Sequence, residues 1–114
     1  MNLLIVGAGG HTRSCIDVIH ASNRFTIQGL IGLGDQVGQT VLGYQVIGSD
    51  DDLALFRSDC EFAFIGIGQI KTASVRQNIF SNLRDLGYSF PTFVSSRAYV
   101  SPFASLGAGT IVMP

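Results

Sequence analysis

Apolar residues fall in short solid runs separated by stretches of helical period, and this alternation predicts the fold. Residues 3–6 are apolar without a break, the pattern of a strand covered on both faces in a parallel sheet. The run closes in Gly7-Ala8-Gly9-Gly10-His11. Beyond it Cys15, Ile16, Val18, Ile19 and, more loosely, Ala21 recur at helical spacing, which predicts a helix over 12–22. A second strand is expected over 25–31, broken by Gly32-Leu33-Gly34-Asp35-Gln36. Residues 37–48 read as a loop with a short edge strand over 44–47. Ser49 reads as the N-cap of a short helix ending near Phe56, with Asp50, Asp51 and Asp52 placed well for its dipole. Residues 61–67 give another buried strand, closed by Gly66-Ile67-Gly68. A longer helix follows over 71–86, with Val75, Ile79, Leu83 and Leu86 on one face and Gly87 as its C-cap. The last strand of this kind is expected over 88–94. Strands alternating with helices imply an α/β fold: a Rossmann-like open parallel sheet with right-handed crossovers.

The pattern then changes. Val100, Leu106 and Val112 stand six residues apart, with the small residues Ala104 and Thr110 each two places before an aliphatic one and Gly107 directly after Leu106. Such hexads mark a β-helix whose aliphatic side chains point inward. One coil needs about three hexads, and repeat folds need several coils to cover their apolar faces. The expected organisation is therefore a domain over 1–97 and the first, incomplete coil of a β-helix over 98–114, in a chain that continues elsewhere. The plainer alternative is a glycine-containing tail with accidental spacing.

Composition narrows the function. The 114 residues are 46% hydrophobic and 13% charged, with a formal net charge of −1, so a compact domain is expected without a nucleic-acid or anionic-membrane footprint. No apolar stretch reaches bilayer length, and the N-terminus reads as a strand rather than a signal peptide, which predicts a cytoplasmic protein. Cys15 and Cys60 stand apart with no CxxC and no ligand cluster, so buried free thiols and no metal are expected.

The candidate chemistry lies at two glycine-rich strand ends. Gly7, Ala8, Gly9, Gly10 and His11 sit between a strand and a helix start, where bare amides and the helix dipole attract a phosphate. The motif is GxGxxT, with Thr12 in place of a third glycine, so a structural turn and a binding loop are both open. Gly66, Gly68 and Gln69 would face the same crevice, and Arg76 could reach a phosphate or stand as an ordinary exposed helix arginine. His11 could bind the ligand or assist as an auxiliary proton relay; His20 suits its helix C-terminus and gets no role. The acid that a dinucleotide ribose needs after the second strand is missing, Asp35 coming several residues late, which disfavours an NAD-type oxidoreductase. No Gly-Lys-Ser/Thr follows the glycines, so a Walker-type loop is absent. A non-catalytic regulatory or scaffold domain is the third reading.

Leu-Ile-Val-Gly-Ala-Gly-Gly-His at 4–11 with Asp17, Val-Leu-Gly-Tyr-Gln-Val-Ile-Gly at 41–48, Phe64-Ile65-Gly66-Ile67-Gly68 with Val75-Arg76, and Val100-Ser101-Pro102 before the hexads form an ordered set. The chain thereby resembles the bacterial sialic acid O-acetyltransferase and UDP-amino-sugar N-acetyltransferase family over its full length. The resemblance implies a Rossmann-like domain holding a nucleotide sugar, a left-handed β-helix binding acetyl-CoA, and a homotrimer. It places nucleotide-sugar contacts at Gly7, Ala8, Gly9, Gly10 and His11 and at Gly66, Gly68 and Gln69; Asp35, the acid nearest the second strand, and Arg76 complete the candidate substrate site. It puts the catalytic histidine in later coils, so this chain alone should bind and not acetylate. Two departures stand out: Gly32-Leu33 replace the adjacent aspartates common in the family, and Ser95-Ser96-Arg97 replace His-Pro-Ser.

Overall fold

The computed structural model describes residues 1–67, 73–95 and 109–112. A five-stranded sheet has the order β3-β4-β2-β1-β5, built from β1 (Asn2–Val6), β2 (Thr26–Ile31), β3 (Thr40–Val41), β4 (Tyr44–Gly48) and β5 (Phe62–Ile65). β2, β1 and β5 run parallel, as do β2 and β4, while β3 forms an antiparallel hairpin with β4 at the edge. The helices are α1 (Gly10–Ser22), α2 (Leu53–Phe56) and α3 (Ala73–Asp85). Among the described residues no helix is long and apolar enough to cross a membrane.

The solid apolar runs are explained by burial on both sheet faces. In β1, Leu3 and Ile5 join the core under α1, with Cys15, Ile16, Ile19, Phe64 and Phe93. Leu4 and Val6 join the opposite core, with Leu53 of α2 and Leu83 of α3. Successive strand residues point to opposite faces, so neither face of a central strand can carry polar groups. Three edge-to-face contacts, Phe25–Phe62, Phe25–Phe93 and Phe64–Phe93, close the first core. Cys15 and Cys60 are free and buried.

Several boundaries differ from the pattern. α1 starts at Gly10 because the Arg13 amide already bonds the Gly9 carbonyl (3.3 Å). The acidic turn after Ser49 is a 3-10 segment, Asp50–Asp52, before α2 proper. Val75 and Leu86 are exposed, leaving Leu83 buried and Ile79 half-buried on the apolar face of α3. Gly87, at φ +94°, ends α3 with its amide on Arg84 O and the Tyr88 amide on Leu83 O, a Schellman ending.

The strand expected over 88–94 is interrupted. Ser89 bonds Glu61 O and Ala63 N beside β5, but the next ladder donor is Pro91, which has no N–H. Only β6 (Phe93–Val94) remains, paired parallel with β7 (Ile111–Val112). The other hexad positions, Val100, Ala104 and Leu106, lie outside the described residues.

Two buried acids set an alkaline limit. Burial pushes the Cys15 thiol up to about 11, opposed by the charge of Arg76. Tyr88, whose hydroxyl donates to Leu53 O at 2.6 Å, is pushed up to about 12 by burial and by Cys60, against Arg57. Both raised groups hold their proton more tightly folded than unfolded, so their stabilisation is complete below the ordinary thiol and phenol values. It is lost as pH rises through the folded ones. Denaturant midpoints should therefore stay level to about pH 9 and fall steeply between about pH 9 and 12. A flat profile through pH 11 would contradict this.

Candidate functional site

The tips of β1 and β5 lie side by side, because Val6 pairs with Ile65. The Gly66 amide bonds Val6 O (2.8 Å) and the Gly7 amide bonds Ile31 O (2.7 Å), so both tips are held to the sheet. Between them opens a crevice of about 680 Å3, lined by the glycine loop from Gly7 to Thr12, by Gly66 and Ile67, and by Arg76. This is the C-terminal edge of a parallel sheet, where ligands collect in open α/β folds.

The glycines divide by physical role. Gly7 has φ +137°, and a Cβ there would lie 2.7 Å from Thr12 Oγ1 and 2.8 Å from Gly66 O; the fold itself demands glycine. At Gly9 and Gly10 a Cβ would meet nothing within 4 Å, and neither has a positive φ. Packing and backbone conformation therefore give no reason for glycine at these two exposed positions. Glycine at such positions leaves the backbone open to close approach.

Thr12 joins the two tips. Its side chain is buried, its hydroxyl donates to Gly66 O (2.8 Å), and it accepts the Gly9 amide (3.2 Å). The Gly7 and Gly9 amides are thus used internally. The first helical amides, Gly10, His11 and Thr12, precede the first helical backbone bond and form the donor end of the dipole.

Arg76 takes the other side. Its guanidinium donates to Ile67 O (3.1 Å) and Ile65 O (3.4 Å). With Thr12 on Gly66 O, three consecutive carbonyls at the β5 tip are each met by a donor. Carbonyl lone pairs that would repel an anion are thereby occupied, and a positive charge stands at the rim.

The structure brings Gly7, Ala8, Gly9, Gly10, His11, Gly66 and Arg76 to one crevice. Gly68 and Gln69 lie outside the described residues. Asp35 is exposed in the short 3-10 turn Gly34–Gln36 and is not among the described lining residues. There the Gln36 side chain accepts the Leu33 amide (2.7 Å) and lies against Gly32, where a Cβ would sit 2.7 Å from its Oε1. In the glycine motif Thr12 stands only as a missing third glycine. The available signal was a polar residue on the buried stripe of α1, which must find partners. His20 pairs with the Tyr44 hydroxyl (3.1 Å), and neither is among the described crevice residues. Among the described residues no group of three or more His, Cys, Asp or Glu is arranged to hold a metal. His11 and Arg76 are the only His, Lys or Arg among the described crevice residues, with no carboxylate beside them.

Over 99% of its length the chain superposes on PerB from Caulobacter crescentus, solved with CoA and GDP-perosamine, with TM-score 0.85 and 31% identity. The acetyltransferase domain of PglB from Neisseria gonorrhoeae matches over 98% of the chain, with TM-score 0.75 and 28% identity. The uncharacterized protein L142 of Acanthamoeba polyphaga mimivirus is 29% identical over 108 residues, 95% of this chain. The chain spans about half the length of the two acetyltransferase structures (51% and 53%) and 20% of L142. Residues 2–83 match the model of the PglD N-terminal domain, and the chain belongs to that family, the Rossmann-like domain of sugar acetyltransferases.

Proposed function

We propose that the crevice between the β1 and β5 tips binds the diphosphate of a nucleotide sugar, the substrate of an acetyl-CoA-dependent sugar O- or N-acetyltransferase. The observation carrying this reading is the pair of glycines, Gly9 and Gly10, that neither packing nor backbone conformation requires. Among the described residues the amides of Gly10 and His11 meet no acceptor, and they stand at a helix N-terminus. His11, exposed on the crevice, bonds the ligand. Gly68 and Gln69 follow directly on the β5 tip and belong to the same site; Asp35 contributes from the β2 turn. PerB was solved with a GDP-linked sugar, so guanine and uracil nucleotides are both candidates.

The same reading divides the protein into a binding domain over 1–97 and the start of a left-handed hexapeptide β-helix over 98–114. Acetyl-CoA binds to that β-helix, the whole protein works as a cytoplasmic homotrimer, and residues 1–114 alone do not transfer acetyl groups. Acceptors in surface-glycan synthesis, sialic acid included, fit this role. Calorimetric titration of the 1–114 chain with GDP- and UDP-linked sugars tests it. Binding that weakens with added salt is expected, since the rim charge is screened. Absence of any heat at millimolar ligand would refute the reading, and acetyl transfer by residues 1–114 would refute the division of labour.

A further inference from the structure

We propose that a second cavity, on the far side of Arg76, receives the glycosyl group of the same ligand. This rests on the crevice being the diphosphate site. The second cavity holds about 530 Å3, within the range of about 300–1,000 Å3 typical of small-molecule sites. Ile65, Phe80 and Phe90 give it an apolar floor, and Arg76, Gln77 and Ser81 give it a polar rim. The two phenyl rings stack on one another at 4.4 Å with 26° between their planes, an apolar patch suited to the C–H groups of a sugar.

Arg76 lines both cavities. Its bonds to Ile65 O and Ile67 O fix the guanidinium as the wall between them. A diphosphate gripped on the glycine side has its next covalently attached group, the sugar, at that wall. The Gln77 amide and the Ser81 hydroxyl then meet ring hydroxyls, while the aromatic floor takes the apolar face.

Charge sets the orientation. The described residues of the cavity include no carboxylate, and Arg76 is cationic. A sugar ammonium pointed inward would lose its water beside a like charge. An amino sugar therefore sits with its nitrogen away from the floor, open to an acyl donor.

The test compares GDP and UDP with GDP-mannose and UDP-glucose on the 1–114 chain, wild type and two variants. Ser81→Trp fills the cavity from α3; Gln77→Ala removes a rim amide from an exposed helix position that alanine suits. The sugar nucleotide is expected to bind wild type more tightly than the free diphosphate. Ser81→Trp should weaken it about tenfold and Gln77→Ala about threefold, with free diphosphate unchanged. If Ser81→Trp does not fold, Gln77→Ala decides alone. Sugar nucleotide binding no tighter than free diphosphate, or variants that shift neither or both alike, would overturn the glycosyl subsite and leave the crevice reading intact. Failure of wild type to bind any of the four ligands would overturn both.

Discussion

Gly7→Ala is expected to lower folding stability by about 2–6 kcal/mol, the sum of two independent costs. A non-glycine residue at φ +137° is held in a sparsely populated region, worth about 1–3 kcal/mol. The new methyl also meets Thr12 Oγ1 at 2.7 Å and backbone Gly66 O at 2.8 Å, and overpacking of this kind costs about 1–3 kcal/mol. The carbonyl belongs to a strand tip tied to Val6 and cannot retreat without breaking that bond. Three residues away, Gly10→Ala should act in the opposite sense. Its Cβ meets nothing within 4 Å, and alanine in a helix gains about 0.5–1 kcal/mol over glycine. Urea unfolding of both variants checks the contrast. A Gly7→Ala protein as stable as wild type would mean that the β1 tip is looser than described, and loss of diphosphate binding by a fully stable Gly10→Ala protein would support close ligand approach.

The second large effect is Thr12→Val. The swap keeps the volume and removes a hydroxyl that both donates and accepts, leaving buried Gly66 O without its donor and Gly9 N–H without its acceptor. An orphaned buried group costs about 1–3 kcal/mol, so a loss of about 2 kcal/mol is expected. Thr12→Ser keeps the hydroxyl and should lose less. Diphosphate affinity should fall in the valine variant because the loop is no longer tied to the β5 tip. Equal stability of valine and serine variants would show that the hydroxyl does not couple the tips.

How legible these features were follows from their physical range. The central strands could be read because Leu3, Ile5, Leu4 and Val6 are buried on both faces, a condition that leaves an unbroken apolar run. The glycine tips could be read because a strand, a glycine cluster and a helix follow one another directly. The edge of the sheet could not. Tyr88 to Val94 has strand composition, yet the ladder stops at Pro91, and Ser89 makes only one bridge. Val75 keeps helical spacing with Ile79 and Leu83 yet is exposed, because periodicity marks a face of α3 and not how far along it the core reaches. Thr12 and Gly66 are 54 residues apart, and Arg76 bonds carbonyls rather than side chains. Backbone acceptors leave no mark in residue identity, so these two contacts had no pattern to announce them.

The central claim is that the bare amides at the start of α1 grip a diphosphate. Amide-resolved NMR of the 1–114 chain during titration with GDP and with UDP tests it directly. Saturable shifts are expected, largest at Gly10, His11 and Thr12 and smaller at Gly9, whose N–H is already bonded to Thr12. Saturable shifts centred on the β3–β4 hairpin instead, or none at millimolar nucleotide, would contradict it.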